Sequence, residues 1–329
     1  MDRVVLVTGV SSPLATRVAE ALSKEPGVGR VIGVDSSPPS EATADWYEYA
    51  PGRPADGTPN YAHVDLHDGS LGRIASEAGA DLLLHLGLDT KQSPNREDNV
   101  LGTMRVLAAA QRSSTIRRLV VRSNATLDAD DAAQVEQHTS VLQRRRPDIS
   151  VAVLRFANLI GPSVESPLTR YLDLRVVPTV LGSDPWVRFL HEDDGAEALL
   201  RMAFSDQSGH FDVAGQDAVP LSHCLRRVGG QRLPVPERGL KVLRRAAKHG
   251  RIDYASTSAA RAGMSAKGSE IDSLEHALGW SPTYSSAQAF EDFADTRGRG
   301  AHRSDGPSAR GGRLSPVHVL ALARASLGR

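Results

Sequence analysis

The sequence predicts an α/β fold, a doubly wound parallel sheet followed by a smaller C-terminal α/β lobe, and three observations predict it. Val4-Val5-Leu6-Val7 is an aliphatic run of the kind buried on both faces of a parallel sheet. A tight small-residue turn follows, Thr8-Gly9-Val10-Ser11-Ser12-Pro13-Leu14-Ala15, after which Val18, Ala19 and Leu22 recur at helical spacing. A second aliphatic run, Val31-Ile32-Gly33-Val34, ends at an acid, Asp35. Strand, turn, helix, strand and acid within about thirty residues is the setting in which a glycine turn reads as dinucleotide-binding.

The turn aims the first N–H groups of the helix at whatever occupies it, where phosphate oxygens are favoured. Thr8, Gly9, Ser11, Ser12, Pro13 and Leu14 are the candidates to line a cofactor there. The Rossmann-type pattern places glycine where the chain turns, where backbone approaches pyrophosphate, and where helix packs on strand. Here those places hold Gly9, Ser12 and Ala15. Serine and alanine are the smallest substitutes, so the expectation is weakened affinity rather than lost binding. A domain that has given up its ligand is the competing reading. Asp35, with Ser36 beside it, suits ribose hydroxyls and repels a 2′-phosphate, which favours NAD over NADP. An acid capping its own turn with Ser36 and Ser37 is the alternative.

Further strands and helices alternate along the chain. After a Pro-, Ser- and Gly-rich connection to about residue 59, the expected strands are Tyr61 to Asp65, Leu82 to Leu86, Leu119 to Val121 and Val151 to Leu154, with a helix from Asn99 to Gln111. Such alternation argues a parallel sheet with helices on both faces. Its ligands belong at the carboxyl ends of the strands, where Gly9, Asp35, Asp65, Gly87 and Ser123 fall.

Composition narrows the classes. A chain of 329 residues buries a sizeable core and suggests one large or two unequal domains. Its 39 basic and 39 acidic residues cancel, so no general attraction for nucleic acid or an anionic membrane is expected. One cysteine, Cys224, excludes an internal disulfide framework and a cysteine-rich metal site. The apolar run at the start is short for a signal peptide and no segment has the length of a membrane span, so the expectation is a cytoplasmic protein.

The series VTGVSSPLA, VIGVD, HVDLHD, LLHLGLD, NVLGTMRVLAAA, LVVRSN, VAVLRFANLIGP, VRFLHEDDGAEALL, FDVAG and LGWSPTYSSAQAF resembles the extended short-chain dehydrogenase/reductase superfamily, in its NAD-dependent epimerase/dehydratase group acting on nucleotide sugars. The likeness runs over roughly residues 3 to 293. It implies that Asp65 and Leu66 lie by the adenine, that Leu86 and Gly87 line the cofactor, and that Asn99 fixes structure near the active site. It also implies substrate roles for Asn158, at the diphosphate, and Arg188, at a nucleotide or sugar phosphate. Each has a plainer competitor: Asn99 as a helix cap, Asn158 as an amide satisfying backbone. His191, Glu192, Asp193 and Asp194 read as a helix start with acids on the dipole, and no metal is expected.

Catalysis is where the chain departs from the resemblance. The family uses a Ser or Thr, matched here by Ser123, with a Tyr-x-x-x-Lys pair whose tyrosine moves the proton while lysine lowers its pKa. Counting back from Pro147 through Glu136 puts Asp128 at the tyrosine position and Ala132 at the lysine position. No tyrosine lies between Tyr61 and Tyr171, and no lysine between Lys91 and Lys241. The connection from Ser123 to Asp128 is also short. His138 offers an acid/base group in another register, against its plainer reading as a solvated polar residue.

The expected domains are a dinucleotide-binding unit over residues 1–162, a smaller substrate lobe over 163–294 with crossings back to the sheet, and a Gly-, Arg- and Ser-rich tail over 295–329, disordered except for a short terminal helix from about Ser315. Arg238, Lys241, Arg244, Arg245, Lys248 and Arg251 form a basic stretch that reads as a solvated face. Two functions stay open: a noncatalytic binder of a dinucleotide or nucleotide sugar that scaffolds through its second lobe and tail, whose partner the sequence does not name, and an active NAD-dependent enzyme with displaced acid/base groups. The resemblance also raises a homodimer through the helices near 99–111 and 132–146.

Overall fold

The computed structural model describes residues 2–39, 46–48, 50, 58–65, 69–87, 96–124, 129–236 and 271–301, which divide into two compact units. The first unit comprises Met1–Ala157, Glu192–Ala214 and Gly268–Thr283. Numbered in chain order over both units, its elements are β1 (Arg3–Thr8), α1 (Pro13–Ser23), β2 (Val28–Asp35), β3 (Tyr47–Glu48), β4 (Asn60–His63), α2 (Ser70–Ala78), β5 (Leu82–His85), α3 (Arg96–Arg112), β6 (Arg118–Asn124), α4 (Ala129–Arg145), β7 (Ser150–Phe156), α6 (Glu192–Ala203), β12 (Gly209–Val213) and α8 (Ile271–Leu278). The aliphatic runs become strands of one sheet in the order β12-β7-β6-β5-β1-β2-β4-β3. Every pairing in it is parallel.

That order sets where a ligand belongs. From β1 the chain winds outward through β2 to β4, then returns to the other side of β1 to lay down β5, β6, β7 and β12. The reversal falls between β1 and β5, and the crevice outside their carboxyl ends is the ligand position of a doubly wound sheet. Both faces are covered, as the unbroken aliphatic runs require. Leu6, Leu83, Leu119, Val121 and Val151 pack with Leu71 and Ile74 of α2, Val106 and Ala110 of α3, and Leu142 of α4. On the opposite face α1 and α6 lie against the sheet and each other. The apolar stripe Leu14, Val18 and Leu22 of α1 is buried there, and the exposed Arg17 of α1 ion-pairs with Asp193 of α6.

The second unit comprises Asn158–His191, Gly215–Lys267 and Tyr284–Arg329. Its elements are β8 (Asn158–Ile160), α5 (Pro167–Leu172), β9 (Val176–Val180), β10 (Trp186–Val187), β11 (Phe189–His191), β13 (Val219–Pro220), α7 (Leu221–Arg227), β14 (Gln231–Val235) and α9 (Ser286–Ala301). Three small two-stranded sheets, β8 with β11, β9 with β14, and β10 with β13, surround an apolar core of Tyr171, Phe189, Leu225, Phe290 and Phe293. Helix α9 takes in the first seven residues of the segment expected as a disordered tail, ending at Ala301. Buried Phe290, Phe293 and Ala294 anchor it, and Arg297 extends it by lying over the Phe293 ring and pairing with Asp173 at 3.2 Å. The basic stretch 238–251 and the terminal segment from Ser315 lie outside the described residues.

Candidate functional site

The site begins where β1 runs into α1. Gly9 has φ +83°, the left-handed region that glycine enters without strain. A Cβ added there would stand 2.3 Å from the Gly87 Cα, so the turn after β1 and the end of β5 touch backbone to backbone. The Leu86 N–H donates to the Thr8 carbonyl and the Gly9 N–H to the Val34 carbonyl, tying the ends of β1, β2 and β5 into one edge. Gly9, Ser11, Ser12, Pro13, Asp35 and Gly87 therefore meet at the reversal of strand order.

The polar groups of this turn are largely spoken for. The Ser12 side chain caps α1, accepting from the Ala15 N–H at 3.3 Å and donating to the Gly9 carbonyl at 3.0 Å. Pro13 opens the helix and has no N–H to give. Leu14 and Ala15 are buried against the sheet. Asp35 is held at the end of β2: its Oδ2 accepts from the Ser11 N–H at 3.0 Å and the Ser11 hydroxyl at 2.7 Å. Its Oδ1 has only long partners, the Ser36 hydroxyl at 3.4 Å and the Ser37 N–H at 3.3 Å. One carboxylate oxygen thus locks the turn while the other is the one a ribose diol would take. The Tyr61 hydroxyl donates to the Asp35 carbonyl from the next strand.

A second polar group, missed by the sequence reading, lies directly beneath. His85 is 1% exposed; its Nδ1 is 2.7 Å from the Thr8 hydroxyl and its Nε2 3.1 Å from the Thr103 hydroxyl of α3. Burial holds the imidazole down at about 4, so it stays neutral and bridges the two hydroxyls. A histidine inside the run LLLHL was the signal; pairing it with Thr8 needed the β1–β5 register, which sets them opposite each other.

Of the remaining predicted residues, Asp65 is exposed just past β4, and Leu66 and Asp128 lie outside the described residues. Asn99 lies in the first half of α3 and Ala132 near the start of α4. Ser123 is buried at the carboxyl end of β6, paired with β7 through the sheet, and its hydroxyl has no hydrogen bond to a described residue. His138 sits half-buried within α4. In the second unit Asn158 is buried and donates its amide to the Arg188 carbonyl at 2.9 Å, the backbone-satisfying role. The Arg188 Nε reaches the Asp217 carbonyl at 3.4 Å. Glu192, Asp193 and Asp194 form the first turn of α6. No cluster of metal-ligating side chains occurs, and no helix is long and apolar enough to cross a membrane, among the described residues.

Residues 5–147 match the model of the NAD dependent epimerase/dehydratase family. An uncharacterised protein of Mycobacterium tuberculosis (strain ATCC 25618 / H37Rv) is 29% identical over 332 residues, covering 91% of this chain and 84% of the relative. Among solved structures, the UDP-glucose 4-epimerase of Thermotoga maritima with UDP-glucose superposes with a TM-score of 0.63 at 14% identity, over 91% of this chain and 99% of that one. MoeE5 in complex with UDP-glucuronic acid and NAD gives 0.64 at 16% identity, over 91% and 100%. At such identities the likeness concerns the fold, an open α/β sheet of this winding.

Proposed function

We propose that this chain belongs to the NAD dependent epimerase/dehydratase family, whose model residues 5–147 match. The protein binds a dinucleotide, NAD in preference to NADP, at the edge formed by Gly9, Gly87 and Asp35. The observation that carries this reading is the Gly9–Gly87 contact, which packs the turn after β1 backbone to backbone on the end of β5 at the reversal of strand order. Asp35 supports the preference, since its loosely held Oδ1 suits a ribose diol and its charge repels a 2′-phosphate. The residues fit the adenosine half of such a cofactor better than its pyrophosphate, because Ser12 and Pro13 leave few helix N–H groups to donate. NAD, when bound, would supply reversible hydride acceptance; Asp35 would hold its ribose at the edge that Gly9 and Gly87 close.

The second part of the proposal is that the chain lacks the usual proton-transfer pair. Asp128 and Ala132 stand where the resemblance puts tyrosine and lysine, and Ser123 has no hydroxyl partner among the described residues that would activate it. The protein then acts as a binder or scaffold for a dinucleotide or nucleotide sugar, the ligand class seen in the solved relatives. Calorimetric titration with NAD and NADH, followed by incubation with a panel of UDP- and dTDP-sugars, tests both parts. Binding without turnover is expected. Absence of dinucleotide binding overturns the first part, and turnover lost on mutating Ser123 overturns the second.

A further inference from the structure

The parallel sheet holds a cation that its surroundings leave unbalanced. Arg122 lies in β6 between Val121 and Ser123 and is 9% exposed. Its Nε is buried without a hydrogen-bond partner, and no carboxylate among the described residues pairs with it. Among the described residues its aromatic contact is the Phe156 ring of β7, whose centroid is 5.5 Å from the guanidinium carbon. Burial brings its ionisation down only to about 10, so it stays charged at neutral pH. Arg118, four residues earlier on the same face, also has an Nε without a partner, but its terminal nitrogens donate to the Met202 and Gln207 carbonyls, each at 2.7 Å, and to the Ser150 hydroxyl. Arg155 of β7 has Asp212. Leaving a buried charge uncompensated is strongly unfavourable, and one cation–π contact offsets only part of that.

The position of Arg122 says what would settle the deficit. The register sets Thr8 opposite His85 and His85 opposite Val121, so Arg122 is one residue nearer the carboxyl edge than that row. It stands two strands from the Gly9 turn, about 10 Å across the sheet, and its guanidinium leans toward β7, away from β1. The carboxyl edge of a doubly wound sheet is where ligands sit. A planar guanidinium matches carboxylate and phosphate oxygens in pairs. We propose that Arg122 is the recognition residue of a second anion site, at the carboxyl ends of β6 and β7, which takes a carboxylate or phosphate group. This site is separate from the dinucleotide turn and does not depend on it.

The test uses the full chain and two probes, inorganic phosphate and malonate, at constant ionic strength, with Arg122→Met and Arg122→Lys. At least one probe raises the melting temperature of the unaltered protein, and the more effective one identifies the anion as phosphate or carboxylate. Arg122→Met weakens that probe by about tenfold or more, the loss of a charge-assisted pair. Without probe the methionine variant melts at or above the parent, because the uncompensated charge is gone. Arg122→Lys keeps the fold and part of the affinity, and NAD binding to both variants is unchanged. The proposal is overturned if neither probe shifts the parent, if the shift survives in both variants, or if Arg122→Met melts lower with no change in anion response. Loss of NAD affinity in step with loss of anion affinity also overturns it, since one anion would then serve both places.

Discussion

If the turn binds a dinucleotide as proposed, the Ser12 side chain competes for the helix N–H that a phosphate would use, and Ser12→Gly should tighten binding. In the unaltered protein the Ser12 hydroxyl holds the Ala15 N–H at 3.3 Å and donates to the Gly9 carbonyl at 3.0 Å, so this first-turn donor is satisfied from within. Pro13 contributes none. Glycine at this cap costs only a few tenths of a kcal/mol, far less than alanine would. It releases the Ala15 N–H to a pyrophosphate oxygen, and a hydrogen bond to a charged acceptor is worth about 1.5–3 kcal/mol. Allowing for the extra freedom of glycine, roughly 0.5–1 kcal/mol, the gain is about tenfold in the dissociation constant. Calorimetry with NAD measures the affinity, and a thermal melt without ligand checks that the cap was cheap to lose. Equal or weaker NAD binding by Ser12→Gly would refute the reasoning, because it would mean that the hydroxyl itself holds the phosphate.

Three other perturbations follow from the first unit. His85 is neutral in the fold with its ionisation near 4, against about 6.5 in the unfolded chain, so the unfolded state binds more protons between those values. Its contribution is complete above pH 6.5 and is lost as pH falls toward 4, by roughly 3 kcal/mol at most; urea melts of His85→Asn should show a shallower pH dependence, and an identical slope would exclude His85 as its source. Arg118→Ala strips the Met202 and Gln207 carbonyls of their donor and should cost about 2–4 kcal/mol in chemical denaturation; a loss under about 0.5 kcal/mol, typical of an ordinary surface change, would show that water replaces the guanidinium. On the proposed reading, Asp35→Asn removes the charge that would repel a 2′-phosphate and should narrow a preference for NAD over NADP by about tenfold, whereas an unchanged ratio of the two affinities would remove Asp35 from cofactor discrimination.

The parallel sheet was legible because β1, β2, β5, β6 and β7 are aliphatic runs, each buried on both faces and flanked by turn or helix signals. The edge strand β12 was less so: Gly209-His210-Phe211-Asp212-Val213 alternates weakly and gains its identity only by pairing with β7. β14 is harder still, since Gln231, Arg232 and Pro234 argue against a strand, and it survives as a partner of β9 in a two-stranded sheet. Helix α6 announced itself through three acids in its first turn. At the site, Gly9 and Asp35 could be read from local pattern, because turn chemistry and strand ends are local. The bond from Ser11 to Asp35, the His85 bridge and the loneliness of Arg122 could not. Each depends on strands distant in sequence meeting in a particular register, which no local pattern encodes.

Ser12 and Arg122 make opposite statements about negative charge on one sheet edge, and the distance between them makes the difference measurable. At β1 the cap withdraws a donor from the turn; at β6 the Arg122 Nε has no hydrogen-bond partner among the described residues. Sites more than about 7–10 Å apart that share no partner contribute additively, within roughly 0.3–0.5 kcal/mol. If two anions are recognised, a cycle of Ser12→Gly, Arg122→Met and the double variant should show a coupling below about 0.5 kcal/mol for NAD and for the small anion alike. A larger coupling for NAD would mean that one phosphate group touches both ends of the edge, with the guanidinium swinging back across β5 to meet it. The Phe156 contact opposes that movement, since the ring holds the guanidinium on the β7 side. Phe156→Leu, which frees Arg122 to swing, should therefore raise the coupling if the swing is within reach and leave it near zero if the anion belongs to β6 and β7.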